Sequence, residues 1–200
     1  MPRLARIVVP GAPHHVAQRG NRRQTTFFTN KDYQDYLGIL REQGKKYGIQ
    51  FWAYCLMPNH VHLIAIPETA ESLNKGIGET HRLYTRRINA RMDWKGYLWQ
   101  GRFSSFPMDE KYLIAAIRYI ERNPVRAGLV KKAEDYPYSS ARAHTLGQVD
   151  PLLSNCFLSQ DISNWSEFLE VSNNEEELHE IRSHVQSGRP LSKAAKAGTR

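Results

Sequence analysis

The sequence predicts an α+β fold, because strand-like and helix-like segments alternate along most of its 200 residues. Residues 49–57 and 60–67 are rich in aromatic and branched side chains, which favours strands. Pro58 and Asn59, which separate them, are typical turn residues, so the two strands are predicted to form a hairpin. Helical patterns flank this hairpin on both sides, which is typical of an antiparallel sheet backed by helices.

The segment before the hairpin predicts one strand followed by one helix. Residues 14–21 (HHVAQRGN) are predicted to form a first strand that ends at a Gly-Asn pair. A helix is predicted to begin near Asn30, a residue type that favours the N-cap, and to end at Gly48. Its apolar positions recur at helical spacing, at Tyr33, Tyr36, Leu37 and Leu40.

The segment after the hairpin completes the pattern. It predicts a helix over 72–92, an extended stretch over 96–108 and a helix over 109–123 that Pro124 stops. The order of strands and helices matches the split βαβ arrangement of ferredoxin-like folds. We therefore predict a ferredoxin-like first domain over residues 1–147.

The regular pattern weakens beyond Leu146. Residues 148–200 are predicted to form a mainly helical C-terminal extension that ends in a loose basic tail. The sequence shows no internal repeats.

The composition and net charge indicate the kind of partner and the cellular compartment. The net charge of +8 and the isoelectric point of about 9.6 favour nucleic acid over a membrane surface as the partner. Two cysteines, neither in a CxxC pair, indicate a reducing compartment rather than a disulfide framework. The N-terminal apolar run is too short for a signal peptide, and no stretch approaches a membrane span. The sequence thus predicts a cytoplasmic, nucleoid-associated protein.

Two histidines begin the second strand of the predicted hairpin. Side chains alternate between the faces of a strand, so His60 and His62 share one face while Val61 points into the core. Two imidazoles placed in this way could present ring nitrogens to one ion. The simpler alternative is one core histidine and one surface histidine.

The helix predicted over 109–123 carries a tyrosine and an asparagine beside its apolar stripe. The stripe consists of Leu113, Ala116, Ile117 and Ile120. Tyr119 and Asn123 lie four residues apart on its flank, so they are expected at the edge of the core, where a cleft would lie. Tyrosine can act as a covalent nucleophile and asparagine can supply a neutral oxygen ligand. Alternatively, both residues are ordinary boundary positions of the helix.

Several segments together resemble the single-tyrosine HUH transposases, where HUH denotes histidine, hydrophobic residue, histidine. These segments are MPNHVH, YIERNPVRAGLV, HHVAQRGNRRQTTF, GYLWQGRF and YPYSSARAH. Within that family they are most similar to the REP-associated tyrosine transposases, relatives of small insertion-sequence transposases that act on single-stranded DNA. The resemblance spans roughly residues 2–147.

The resemblance implies an activity, a cofactor and a substrate class. It implies a metal-dependent strand transferase and endonuclease that cleaves and rejoins single-stranded hairpin or palindromic DNA with Mg²⁺ or Mn²⁺. Tyr119 matches the nucleophile that links to the 5′ phosphate of cleaved DNA. His60 and His62 match the metal-binding pair, and Asn123 stands where relatives carry a polar third ligand, often glutamine.

Basic residues near these motifs are candidates for phosphate contacts, which dominate affinity for DNA. The candidate DNA-binding residues are Arg19, Asn21, Arg22, Arg23, Arg82, Arg86, Arg102 and Arg126. Helical arginines could instead form a solvated face. Trp99, Phe103 and Phe106 could stack on unpaired bases or could belong to the core.

Two other function classes are compatible with the sequence. A nucleic-acid-binding module without catalysis would bind DNA without forming an adduct. A metallohydrolase would use the histidines and an activated water, with Tyr119 purely structural. A monomer and a homodimer are both compatible with the sequence.

Overall fold

The computed structural model describes residues 6–154 and 162–187 and contains one antiparallel sheet of four strands. The strands are β1 (His14–Arg19), β2 (Ile49–Met57), β3 (His60–Pro67) and β4 (Ser104–Pro107). Their order across the sheet is β2-β3-β1-β4, which is the arrangement of a split βαβ fold. The predicted α+β, ferredoxin-like class is confirmed.

Two helices cover one face of the sheet, and the remaining helices lie on the other side or beyond it. The helices are α1 (Asn30–Lys46), α2 (Ser72–Met92), α3 (Glu110–Glu121), α4 (Asn123–Arg126), α5 (Ala141–Leu146), α6 (Trp165–Glu170) and α7 (Glu175–Ser187). Short 3-10 turns occur at Asn21–Arg23 and Ala133–Asp135. The N-cap of α1 is Thr29, which forms a capping box with Asp32 and stands one residue before Asn30, the predicted N-cap.

Strand alternation divides the core into two clusters. Val61 and Leu63 of β3 pack with α1 and α2, whereas Ile64 packs with α3 and the C-terminal helices. The same alternation places His60 and His62 on the α3 side of the sheet, as the sequence predicts.

Three aromatic side chains that were candidates for base stacking belong to the core instead. Trp99 and Phe103 are both 5% exposed and pack with α1 and α2, while Phe106 is fully buried on the α3 side. Their rings are therefore not accessible to unpaired bases.

The helix predicted over 109–123 is split at Arg122. Asp109 caps α3 by accepting a hydrogen bond from the backbone of Tyr112, and α3 ends at Glu121. The chain then enters α4 directly, with Pro124 in the first turn, where the missing N–H removes no helical hydrogen bond. The backbone therefore stays helical past the proline, which keeps Tyr119 and Arg126 on one side.

The described C-terminal residues pack against the rest of the chain. Trp165, Leu169 and Ile181 are buried in the cluster that surrounds α3. The division at residue 147 stays a prediction, and the predicted basic tail lies outside the described residues. In the part of the chain that the structure describes, no helix is long and apolar enough to span a membrane.

Candidate active site

A cleft of about 550 Å³ opens beside the end of β3 and brings most of the predicted site residues together. Its lining includes His60, His62 and Tyr119, together with Arg19 and Arg102. A second cavity of about 440 Å³ lies between α1 and residues 137–152 and contains none of them. Most of the predicted site residues therefore meet at the first cleft.

Each of the two imidazoles is held through its Nδ1 atom. His60 Nδ1 lies 2.6 Å from Asn59 Oδ1, which can only accept, so Nδ1 carries the proton and Nε2 keeps its lone pair. His62 Nδ1 lies 2.9 Å from Nε2 of His15, a fully buried residue of β1. When Nδ1 of His62 is the donor, its Nε2 is likewise available as a ligand.

Burial keeps these histidines neutral at ordinary pH. It lowers the pKa of His60 to about 4, and the positive charges of Arg19 and Arg126 act in the same direction. Burial also holds the pKa of His62 well below its usual range, with added repulsion from His60 and His15. Neutral imidazole is the form that binds a metal ion.

Tyr119 reaches the histidines from α3. Its ring centroid is 5.7 Å from that of His62, with the two planes nearly perpendicular. The guanidinium carbon of Arg126 lies 4.3 Å from the tyrosine ring centroid on another side. Tyr119 is only 6% exposed, yet it lines the cleft, so the expectation of a residue between core and cleft is met.

Asn123 lies between His60 and Arg126. Its Nδ2 is 3.3 Å from His60 Nε2, and its Oδ1 accepts a hydrogen bond of 2.7 Å from Arg126. The two imidazoles fit a divalent ion, but the asparagine oxygen is engaged by Arg126. Ligation by Asn123 requires its amide to rotate and Arg126 to release that oxygen. Among the described residues, no group of three or more His, Cys, Asp or Glu side chains is placed to hold a metal ion, so the two histidines need ligands of other kinds.

The predicted DNA-binding residues fall into two groups. Arg19, Arg23 and Arg102 line the cleft, Arg126 contacts Tyr119, and Asn21 and Arg22 share the 3-10 turn with Arg23. The other two, Arg82 and Arg86, lie on α2, which covers the opposite face of the sheet. The guanidinium of Arg82 is also paired with Glu79. The structure does not bring these two arginines to the cleft.

Two residues that hold the histidines are not among the site residues predicted from the sequence. The predicted strand contained His15, but only the pairing of β1 with β3 reveals its contact with His62. The sequence predicts Asn59 as a turn residue, and the structure shows that its side chain also binds His60. Its position directly before the first histidine was the available signal.

Comparison with known proteins shows the family to which the chain belongs. The family model described as "Transposase IS200 like" matches residues 9–123, more than half of the chain. A Haemophilus influenzae protein named as a REP-associated tyrosine transposase is 28% identical over 132 residues, which cover 58% of this chain and 75% of that protein.

A solved structure extends the comparison to the fold. A REP-associated tyrosine transposase bound to a REP hairpin superposes with a TM-score of 0.58 at 21% identity, covering 78% of this chain and 93% of that one. At this identity the match establishes the shared fold. The family match spans the two histidines, Tyr119 and Asn123. The chain belongs to the IS200-like transposase family.

Proposed function

We propose that this protein is a metal-dependent DNA strand transferase that cleaves and rejoins single-stranded, hairpin-forming DNA through Tyr119. The observation that carries the proposal is the position of Tyr119 against His62 in a cleft lined by arginines. The similar Haemophilus protein and the hairpin-bound structural neighbour support repetitive palindromic DNA as the substrate class.

The proposed cleavage step is a transesterification. The Tyr119 oxygen attacks a backbone phosphorus, a tyrosine–phosphate bond forms, and the bond from phosphorus to the 3′ oxygen breaks. The phenol loses its proton, and the departing 3′ oxygen gains one. Attack by a 3′ hydroxyl on the 5′-phosphotyrosine then reverses the step and rejoins two strands.

Several residues of the chain have proposed roles in this step. Arg126 packs on the Tyr119 ring and fixes its orientation, while its charge lies close to where the scissile phosphate would lie. Arg19, Arg23 and Arg102 contact the neighbouring phosphates. His60 and His62 would hold a Mg²⁺ or Mn²⁺ ion, with Asn123 after rotation of its amide.

A bound divalent ion supplies charge stabilisation to the phosphate oxygens at such a site.

The histidines and Tyr119 come together within one chain, so the proposed site is complete in a monomer and equally in each subunit of a homodimer.

The covalent intermediate can be tested directly. Wild-type protein is incubated with labelled single-stranded hairpin DNA and Mn²⁺, and the products are separated on a denaturing protein gel. We expect a labelled protein band that Tyr119→Phe abolishes. Tyr112→Phe is the matched control: it removes another buried tyrosine hydroxyl of α3, one with no hydrogen-bond partner in the described structure, and should keep the adduct.

The remaining outcomes separate the alternatives. An adduct that survives Tyr119→Phe assigns the nucleophile elsewhere. Hairpin binding without adduct or cleavage indicates a binding module. Cleavage that needs the ion but leaves no adduct, and that survives Tyr119→Phe, indicates a metallohydrolase.

A further inference from the structure

The loop between α2 and β4 exposes two aromatic side chains. Tyr97 is 86% exposed and Trp94 is 43% exposed, and they are the aromatic residues among the exposed large hydrophobic side chains of the described chain. Exposed aromatic rings beside a basic groove are the side chains on which unpaired bases can stack. We refer to these two side chains as the Trp94–Tyr97 surface.

The backbone beneath this surface is fixed. The Trp94 N–H donates to the Asn89 carbonyl at 2.9 Å, and Asn89 Nδ2 donates to the Gly96 carbonyl at 2.9 Å. The Trp94 ring meets the edge of Phe28, with centroids 5.7 Å apart. At the far end of the loop, the Leu98 carbonyl accepts from the Asn21 N–H at 2.8 Å. The two rings are therefore presented by an ordered loop.

The loop that carries these two rings is bonded to the turn at the edge of the cleft. The partner of Leu98 is the first residue of the 3-10 turn that carries Arg22 and Arg23, and Arg23 lines the cleft. Beyond Leu98 the same loop contributes Gln100 and Arg102 to the cleft. Lys95 lies between the two aromatic residues in the sequence. The loop thus runs from the exposed aromatic residues to residues that line the cleft.

The arginine turn has an uncommon backbone. Arg22 and Arg23 have φ values of +53° and +61°, a left-handed conformation that side chains other than glycine adopt rarely. Hydrogen bonds from the Arg23 N–H to the Gly20 carbonyl and from Asn59 Nδ2 to the Arg23 carbonyl maintain it. Strain of this kind persists where the surroundings enforce it, and it clusters at binding sites.

We propose that the Trp94–Tyr97 surface stacks on unpaired bases of the single-stranded DNA that adjoins the hairpin. Arg22 and Lys95 contact the phosphates of the same strand. Base stacking on aromatic rings beside a basic groove is the general physical basis of binding to single strands, and it tolerates different base sequences. The inference rests on the proposed function, because it takes the strand that reaches Tyr119 as the ligand.

The test compares two DNA probes. One is a labelled hairpin with a short single-stranded extension, prepared with the extension on either end, and the other is the same hairpin without it. All binding measurements use the Tyr119→Phe background, so that no cleavage occurs. We expect Tyr97→Ala to weaken binding of an extended hairpin by about 5- to 100-fold and to leave the bare hairpin unchanged.

Two matched variants isolate the role of the ring. Tyr97→Phe keeps the aromatic face and should bind the extended hairpin like the parent. Val149→Ala shortens another exposed apolar side chain, 97% exposed at the second cavity, and should change neither probe. Equal binding by the parent and Tyr97→Ala, or equal losses on both probes, would overturn the proposal.

The oligomeric state and adduct formation separate the remaining explanations. If Tyr97→Ala converts a dimer into a monomer without changing DNA binding, the surface docks a second copy of the chain and the stacking proposal fails. Adduct formation is measured in parallel with proteins that retain Tyr119. If the adduct forms but Tyr97→Ala does not change DNA binding, only the stacking proposal is overturned. Absence of both adduct and hairpin binding overturns the proposed function as well.

Discussion

At the scale of single residues, Asn59 connects two parts of the candidate site through one amide. Its Nδ2 donates to the carbonyl of Arg23 at 3.0 Å, and its Oδ1 accepts from His60 at 2.6 Å. The first bond helps to hold the arginine turn in its left-handed conformation. The second fixes the proton on Nδ1 of His60, which leaves Nε2 as the ligand atom. The orientation of His60 is thus coupled to the turn that is proposed to bind DNA.

This coupling predicts the effect of two substitutions on metal binding. Asn59→Ala removes the acceptor for His60 and should lower Mn²⁺ affinity by about 10- to 100-fold, the usual effect of losing such a partner. Asn59→Asp keeps an acceptor for Nδ1 and should bind Mn²⁺ at least as well as wild type. Titration calorimetry with Mn²⁺ checks both variants. Wild-type affinity in Asn59→Ala would refute the role of this bond.

Sequence and structure contribute different parts of the site. Alternation along a strand places His60 and His62 together, and helical spacing places Tyr119 and Asn123 together. Neither rule shows that His15 binds His62, because that contact depends on how β1 and β3 pair. Arg126 was predicted to bind DNA, but its contacts with Tyr119 and Asn123 arise because the backbone stays helical past Pro124.

At the scale of elements, Glu121 anchors the helix that carries Tyr119. Its fully buried carboxylate accepts hydrogen bonds from Ser140, from His144 Nδ1 at 2.7 Å and from Trp165 Nε1 at 2.7 Å. These partners come from the start of α5, from α5 itself and from α6. A buried carboxylate with so many donors fixes the position of α3 relative to the helices that follow it.

The pair of Glu121 and His144 predicts a dependence of stability on pH. Burial disfavours the charged imidazole, but the nearby carboxylate outweighs it and raises the pKa of His144 above its usual value. The stabilisation is therefore complete below the unfolded pKa of about 6.5 and is lost as pH rises through the higher folded pKa. His144→Gln should cost about 2 kcal/mol near pH 6 and less near pH 9.

Urea unfolding at both pH values measures the difference. His179→Gln, which alters an exposed histidine of α7, is the control and should change stability little at either pH. A larger cost of His144→Gln at the higher pH would contradict the ion pair.

Most elements could be predicted because their signals are local. The strands 49–57 and 60–67 and the helix 72–92 have the predicted bounds, since turn residues and apolar periodicity mark their ends. The extended stretch predicted over 96–108 forms a strand only at 104–107. Its first part is held by isolated bonds to residues 19–21 and by the packing of Trp99, which no periodic pattern reveals.

The two faces of the sheet differ across the molecule, because one is covered by packed apolar side chains and the other carries the candidate active site. Helices α1 and α2 cover one side with a continuous apolar and aromatic cluster, which includes the buried His81. The other side carries the histidines and arginines of the cleft and receives α3 together with the C-terminal helices. The split βαβ order predicts the sheet, but the sequence did not show that α6 and α7 close over α3.

Buried neutral histidines on both faces predict that the metal-free protein loses stability in acid. Burial lowers the pKa of His15 and of His81 to about 3 and that of His60 to about 4, whereas the unfolded chain binds those protons near pH 6.5. Below that pH the unfolded state takes up more protons, so stability falls as pH decreases toward 4. Each such histidine lowers the free energy of unfolding by about 2 kcal/mol as the pH falls from about 7.5 to about 5. Urea unfolding in the presence of a chelator measures how the free energy of unfolding changes with pH. His81 is remote from the cleft, and His81→Gln should reduce this change by the contribution of one histidine. A stability independent of pH across this range would show that these side chains reach water before the protein unfolds.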